Sequence, residues 1–297
     1  MYPNPFRYHR ATSLAEAASL LAQLGEDARV LAGGQSLIPL MKFRLAAPTD
    51  LIDLNFIPSL SYLRKEGGEL RLGALTRHAA VAASETAAEI PILVDCASGI
   101  ADVQIRNRGT VAGSVAEADP SGDWVPVLLA LDSRVCCLGP GGDRSVALSA
   151  FIRDAYTTDL APDEVIKEVI VKKPPPGSGG AYIAFKRSAQ VYATASVAVQ
   201  LVLEEEVCSQ ISLYLGCLGL TAIRAAEAEA ELRGGRLTEE ALSRAATAAM
   251  AAAQPQSDMR GSADYKRALV KALVKRALEV AGRRARGERV EMSHYYA

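Results

Sequence analysis

The sequence predicts a protein of mixed α and β structure in two parts. In the first part, short apolar strands alternate with helices, and RVLAGGQSLIPL at 29–40 is one such strand that ends in two glycines. The segment 181–219 has the pattern of three antiparallel strands, with turns at Glu205 and around Gly216, and alanine-rich helices follow it. Between the two parts, PPPGSGG at 174–180 is typical of a linker, so we place the domain boundary there.

The first part opens with a predicted helix in TSLAEAASLLAQLGED at 12–27. Ser13 is its predicted N-cap, Glu16 completes a capping box, and Gly25 marks its end. Strands are then predicted in ARVLAGG at 28–34, PTDLIDLN at 48–55, and the stretch with Leu70 and Leu72, which leads into a helix near Thr76.

The middle of the chain is predicted as a helix that runs into a long loop. Residues 91–113 comprise a helix and the start of the loop, and the loop contains RNRGTVAGSVAEADPSGDW. After the loop come an apolar helix at 123–131, a strand at 133–139 and a hairpin turn in PGGDRS at 140–145.

Two helices are predicted near the end of the chain. Thr238 is the expected N-cap of the first. The second has an apolar face made of Ala268, Leu269, Leu273, Ala277 and Val280. Its lysines and arginines favour a solvated face over an RNA-binding surface, because the whole chain is close to neutral.

Composition excludes several classes of function. The 297 residues have a formal net charge of -1, which gives no reason to expect nucleic acid or a membrane surface as partner. No run of 18 apolar residues occurs and the N-terminus lacks a signal-peptide pattern, so we expect a cytoplasmic protein. The five cysteines form no C-x-x-C pair and the three histidines (His9, His78 and His294) are far apart, so we expect reduced thiols and no metal site.

Two glycine-rich segments are the strongest candidates for ligand binding. The dinucleotide pattern G-x-G-x-x-G and the phosphate-binding loop G-x-x-x-x-G-K-[ST] are both missing from the sequence. Instead, Ala32–Ser36 and Gly109–Ser114 each combine Ala-Gly with small polar residues. Successive free amides in such turns could bind a pyrophosphate, with hydroxyl groups as further donors. On spacing alone, two unrelated structural turns are an equally good interpretation.

Two carboxylates follow in AEADPSGDW at 116–124. Asp123 or Ser121 could cap the next helix, or Asp119 and Asp123 could both accept hydrogen bonds from ribose or ribityl hydroxyls. No histidine, lysine or metal cluster accompanies them, so we predict no catalytic acid or base.

Three segments together resemble a known family. They are VLAGGQSLIPLMKFRLAAPTDLIDLN, IRNRGTVAGSVAEADPSGDWVPVLLALD and TDLAPDEVI. They are similar, in order and over nearly the whole chain, to the FAD-binding medium subunit of the molybdenum hydroxylases, most of all to the carbon monoxide dehydrogenase type. This resemblance implies an α+β fold: a PCMH-type FAD-binding domain at 1–175, with subdomains of about 1–57 and 58–175, and then a C-terminal antiparallel sheet with helices at 176–290.

The resemblance also implies the residues that bind FAD. Those at the pyrophosphate are Leu31, Ala32, Gly33, Gly34, Gln35, Ser36, Leu37, Gly109, Thr110, Ala112, Gly113 and Ser114. Those at the sugar and chain hydroxyls are Ala118, Asp119 and Asp123. Leu160 and Val165 match positions near the adenine or flavin edge, and Lys186 and Tyr192 match flavin contacts, with Tyr192 over the ring. An ordinary core role for Tyr192 stays open. Ala112 and Val191 depart from the family, which often has a glycine and an acidic residue there.

The activity that the resemblance implies is electron transfer. A large subunit with the molybdenum cofactor would oxidise the substrate, and a small subunit with [2Fe–2S] clusters would pass electrons to the FAD of this chain. An external acceptor (quinone, NAD or oxygen) would then receive them from a heterotrimeric complex. The alternative is a stand-alone FAD-dependent oxidoreductase of the same fold, which co-purification with partner subunits would distinguish.

Overall fold

Strands and helices alternate, as predicted, over residues 7–53, whereas six helices in a row follow the strand at 69–73. The computed structural model describes residues 2–291, so His294 lies outside the described residues. The strands of this part are β1 (Arg7–Arg10), β2 (Ala28–Leu31), β3 (Asp50–Asp53), β4 (Leu63–Glu66), β5 (Glu69–Gly73), β6 (Arg134–Gly139), β7 (Gly142–Ala147), β8 (Ile152–Asp154), β9 (Thr157–Thr158) and β10 (Val165–Lys172). The helices are α1 (Leu14–Leu24), α2 (Leu37–Lys42), α3 (His78–Ala82), α4 (Glu85–Ala88), α5 (Pro91–Gly99), α6 (Val103–Arg108), α7 (Val111–Glu117), α8 (Trp124–Ala130) and α9 (Leu148–Phe151).

A small parallel sheet with the order β1-β3-β2 begins the fold, and α1 connects its two outer strands. The predicted ends of α1 are confirmed. The Ser13 hydroxyl accepts a hydrogen bond from the Glu16 amide, and Gly25 follows the helix with a φ of 73°. The sequence prediction omitted β1, because its RYHR segment is largely exposed and has no apolar pattern.

A five-stranded antiparallel sheet follows, in the order β4-β5-β10-β6-β7. Its central strand, β10, is buried over most of its length. The predicted hairpin between β6 and β7 is confirmed, because Gly139 pairs with Gly142 and leaves Pro140 and Gly141 as the turn.

The long loop predicted from Arg106 onward is wrong. Three helices, α5, α6 and α7, occupy most of residues 91–117. Asp102 and Thr110 each cap a new helix, accepting hydrogen bonds from the amides of Ile105 and Gly113 respectively. These caps restart the helix after each break, so the second glycine segment lies at the start of α7 rather than in a loop.

The second part consists of an antiparallel sheet and three helices. The strands are β11 (Ser178–Phe185), β12 (Ala195–Glu204), β13 (Val207–Gly216) and β14 (Ile223–Arg224), paired in that order. The helices are α10 (Ala226–Ala230), α11 (Glu239–Ala252) and α12 (Ala263–Ala285). The three predicted strands and the turn at Glu205 are confirmed, as is the overall α+β class. The short strand β14 was not predicted.

The segment predicted as a linker at 174–180 extends too far, because β11 already begins at Ser178. Gly179 is required for close packing between β11 and α12. A Cβ atom on it would lie 2.5 Å from the backbone nitrogen of Ala285, and closer still to the carbonyl oxygen of Ala281. This glycine therefore lets α12 pack closely against the sheet.

The helices of the second part confirm Thr238 as an N-cap, since its hydroxyl accepts from the Ala241 amide. The predicted apolar face of α12 needs one correction. Ala268 is exposed, whereas Lys266 is buried, with its ammonium group hydrogen-bonded to the carbonyl oxygen of Gln256 and paired with Asp258. The ion pair lets a lysine occupy a position that the apolar pattern does not predict.

Candidate functional site

A cavity of about 600 Å³ opens in the first part of the chain. Its volume falls in the range typical of cofactor pockets. The predicted residues that line it are Leu31, Ala32, Gly33, Gly34, Gln35, Ser36, Leu37, Gly109, Thr110, Ala112, Gly113, Ser114, Leu160 and Val165. The predicted residues outside its lining are Ala118, Asp119, Asp123, Lys186 and Tyr192. The structure thus brings both glycine segments to one cavity, although 80 positions of sequence separate them.

The two glycines of the first segment are required for different reasons. Gly34 has a φ of +73°, a conformation that other residues rarely adopt. Gly33 instead allows a close approach of two backbones. A Cβ atom there would lie 2.8 Å from the Cα of Gly109, and closer to the carbonyl oxygen of Arg108. Gly33 is therefore where the first glycine segment packs against the second.

The first segment presents unpaired donors to the cavity. The four backbone amides from Gly33 to Ser36 donate no hydrogen bond to any residue in the part of the chain that the structure describes. The Ser36 hydroxyl is also unused, because it makes no capping bond to α2. Gly33 is buried, and Gly34 and Ser36 are half-buried, where amides are normally paired, while Gln35 is exposed. Successive free amides of this kind are suited to an anionic ligand.

The second segment lies where α7 begins. The Thr110 oxygen accepts from the Gly113 amide at 3.0 Å, which leaves the hydroxyl proton available for donation. Ala112 lies within the helix, so alanine fits the position where the family often has glycine. The departure from the family at this residue therefore has no cost in backbone conformation.

Asn55 and Arg77, which the sequence analysis missed, tie the two glycine segments together. The Asn55 amide nitrogen donates to the carbonyl oxygen of Ala32 at 2.8 Å. The Arg77 guanidinium donates to the Asn55 side-chain oxygen at 2.5 Å and also to the carbonyl oxygen of Arg108. One continuous hydrogen-bond chain thus sets the spacing between the segments.

His78 is a further cavity residue that the sequence analysis did not select. Its side chain is only 3% exposed and its Nδ1 accepts a hydrogen bond from the indole N–H of Trp124 at 3.0 Å. Burial, and then the charges of Arg77 and Arg106, lower the pKa of the imidazole to about 4. The ring is therefore neutral at physiological pH.

Tyr156 connects the cavity to three of the predicted residues that lie outside its lining. It lines the cavity, and its amide donates to the carbonyl oxygen of Ala118 at 2.9 Å. Partial burial, and then the Asp119 carboxylate, raise the pKa of both Tyr156 and Tyr192. Burial and Asp119 likewise raise the pKa of Glu117, which lines the cavity. The structure therefore brings Ala118, Asp119 and Tyr192 together beside the cavity.

Asp123 and Lys186 form a buried ion pair away from the cavity lining. The Lys186 Nζ lies 3.1 Å from a carboxylate oxygen of Asp123, and the two residues are 4% and 7% exposed. The Tyr182 hydroxyl donates to Asp123 at 2.6 Å, and Lys186 also donates to the carbonyl oxygen of Gly99. The pair therefore joins α8 of the first part to β11 of the second.

Comparisons with known proteins agree with this geometry. Residues 4–174 match the family model of the FAD binding domain in molybdopterin dehydrogenase, and residues 180–281 match that of the CO dehydrogenase flavoprotein C-terminal domain. The carbon monoxide dehydrogenase medium chain of Hydrogenophaga pseudoflava is 40% identical over 282 residues, which are 95% of this chain and 98% of that one. The chain belongs to the FAD-binding medium subunits of the molybdenum hydroxylases.

Two further relatives support the assignment to this family. The 6-hydroxypseudooxynicotine dehydrogenase complex subunit alpha of Paenarthrobacter nicotinovorans is 39% identical and covers 99% of this chain and 100% of that one. A structure of carbon monoxide dehydrogenase from H. pseudoflava, which lacks the Mo-pyranopterin moiety of the molybdenum cofactor, matches with a TM-score of 0.92 at 42% identity, covering 95% of this chain and 98% of that one. This medium subunit is thus part of an oxidoreductase, and its cofactor is FAD.

The described residues contain neither a candidate metal site nor a candidate membrane span. Between residues 2 and 291, no group of three or more histidine, cysteine or acidic side chains is placed to hold a metal ion. Over the same residues, no helix has the length and apolar character needed to cross a membrane.

Proposed function

We propose that the FAD of this medium subunit occupies the 600 Å³ cavity, with its pyrophosphate between the two glycine segments. The observation that supports this most is the row of unpaired amides from Gly33 to Ser36. Ser36, Thr110 and Ser114 add hydroxyl donors from both sides. The donor set is neutral and compact, which suits phosphate oxygens that must approach the backbone closely.

The residues around the cavity suggest how the rest of the cofactor lies. Leu160 and Val165 are apolar lining residues suited to one ring system. Asp119 and Tyr192 lie beside Tyr156, where a carboxylate could accept hydrogen bonds from ribityl hydroxyls and a phenol ring could cover the flavin. In this proposal the buried pair of Asp123 and Lys186 supports the site by holding the segment that leads to Tyr192.

We propose further that this subunit transfers electrons between partner subunits and an external acceptor. FAD supplies the redox chemistry when bound, and the side chains of this chain bind, orient and shield it. The relatives are named medium chain or complex subunit, which supports partners of two kinds: a large subunit with the molybdenum cofactor and a small subunit with [2Fe–2S] clusters. The acceptor would be a quinone, NAD or oxygen.

We include the domain limits and the cellular compartment of the protein in the same proposal. A hydrophobic core formed mainly by residues of the first 171 positions, and a second core between Ala181 and Ala281, support domains at 1–175 and 176–290. Subdomains of about 1–57 and 58–175 follow the division between the parallel and the five-stranded sheets. The five free cysteines favour a reducing, cytoplasmic location.

The test is to express the full chain with and without its neighbouring genes and to identify the flavin released from it. We expect one FAD per chain, visible flavin absorption, and co-purification with a large and a small subunit. In the assembled complex, substrate should bleach the flavin only when the iron–sulfur subunit is present. A chain that takes up no FAD contradicts the cofactor site, and a flavin-loaded chain that turns over a substrate alone contradicts the electron-transfer role.

A further inference from the structure

We propose that His78 binds the FAD pyrophosphate directly, by donating a hydrogen bond from its Nε2–H to a phosphate oxygen. This inference rests on the proposed function, since it adds a residue to the same site. His78 opens α3 and lines the cavity beside the second glycine segment. Neither glycine motif includes it, so the motifs alone would not identify it.

Trp124 fixes which ring nitrogen carries the proton. An indole N–H can only donate, so the Nδ1 that receives it at 3.0 Å must be the unprotonated nitrogen. The proton of the neutral ring is therefore on Nε2. Both partners are almost completely buried, which holds the imidazole in one orientation.

The Nε2–H donor has no acceptor within the described chain, and Nε2 is not one of the fully buried unpaired atoms, which fits its position on the cavity wall. A fixed, unpaired donor that faces a cavity is suited to a ligand acceptor. Neutrality at physiological pH, which follows from a pKa of about 4, makes the ring a donor of one hydrogen bond rather than a counter-ion.

The position of Nε2 relative to Gly109 supports the same ligand. The amide of His78 donates to the carbonyl oxygen of Gly109 at 3.1 Å, so the two backbones are fixed together. A Cβ atom on Gly109 would lie 2.5 Å from Nε2. Gly109 therefore leaves the nitrogen uncovered at the edge of the segment that we assign to the pyrophosphate.

The direct test is a proton–nitrogen spectrum of the imidazole groups in the ¹⁵N-histidine-labelled full chain, recorded before and after FAD is added. We expect the Nε2–H signal of His78 to move downfield. The signal of His9, whose Nε2 lies 2.6 Å from Asp50 in the small parallel sheet, should stay in place and is the internal reference. FAD binding with no change at His78 overturns the inference.

Two variants provide an independent test. His78→Gln keeps an N–H donor at similar reach, whereas His78→Met has similar length and no donor. We expect His78→Gln to bind FAD within about threefold of wild type and His78→Met to bind both FAD and ADP roughly 10- to 100-fold more weakly, as for a hydrogen bond to a charged oxygen. Equal affinities in all three proteins overturn the inference, and if His78→Met fails to fold, the imidazole spectrum decides. A wild-type chain that binds no FAD is a distinct result and contradicts the proposed function itself.

Discussion

Gly33→Ala is the substitution that tests the packing of the two glycine segments most sharply. The added Cβ would lie 2.8 Å from the Cα of Gly109 and 3.0 Å from the carbonyl carbon of Arg108, where an ordinary contact needs at least 3.4 Å. Backbone atoms must therefore move by at least 0.6 Å (3.4 Å less 2.8 Å). Such overpacking typically costs about 1–3 kcal/mol, and it displaces the amide row from its partner segment.

We expect this variant to bind FAD at least tenfold more weakly, because a pyrophosphate held by several amides is sensitive to shifts of this size. The assay is a titration of the flavin-free protein with FAD, followed by flavin fluorescence, together with thermal unfolding of the flavin-free protein. Gly141→Ala is the matched control, since a Cβ on Gly141 meets nothing within 4 Å. A Gly33→Ala protein with the FAD affinity and melting temperature of Gly141→Ala would refute the packing argument.

Three further predictions concern the groups around the cavity. Asn55→Ala removes the bond to Ala32 and should weaken FAD binding about fivefold, or about 1 kcal/mol by the same titration, whereas unchanged affinity contradicts a role in spacing the segments. Lys186→Met leaves Asp123 buried without its cation and should lower the free energy of unfolding in urea by about 3–5 kcal/mol, while the exposed-pair variant Lys65→Met should change it by less than about 1 kcal/mol. Because the unfolded chain takes up a proton at His78 near pH 6.5 and the folded chain only near pH 4, stability should fall by up to about 3 kcal/mol as pH drops through this window. His78→Gln should remove that part of the pH dependence, and an identical pH profile in the variant would contradict the buried neutral imidazole.

The sequence predicted most of the elements that have a strong local pattern. The Ser13 and Thr238 caps, the β6–β7 hairpin and the antiparallel strands of the second part all depend on residues close together in the chain. The order of strands in the five-stranded sheet could not be predicted in this way. There β10 pairs with β5, and the pairing depends on contacts between distant segments.

The differences from the prediction have two physical causes. Gly179 was interpreted as a linker residue, and it is a point where α12 approaches the backbone closely. Gly33 and Gly109 do lie outside the helices and strands, as interpreted, and the structure adds a close approach of distant atoms at each of them. A sequence shows that a glycine is present, but not whether it also contacts a distant backbone. The loop predicted from Arg106 onward failed for a local reason, since the caps at Asp102 and Thr110 outweighed the glycines.

The candidate site was predicted in part. Both glycine segments follow from the sequence motifs, and the structure brings them to one cavity. Asn55, Arg77 and His78 were missed because their role depends on contacts with residues that are distant in sequence, such as Ala32 and Trp124. The one available signal was the basic residue Arg77, next to His78 at the start of the helix predicted near Thr76.

The most direct test of the account is the response of the Gly33 and Gly34 amides to FAD in the ¹⁵N-glycine-labelled full chain. If the pyrophosphate lies on this amide row, both signals shift downfield in step with FAD binding, while the signal of the distant turn residue Gly141 stays in place. Stoichiometric FAD binding that leaves the Gly33 and Gly34 signals unchanged would contradict the central claim.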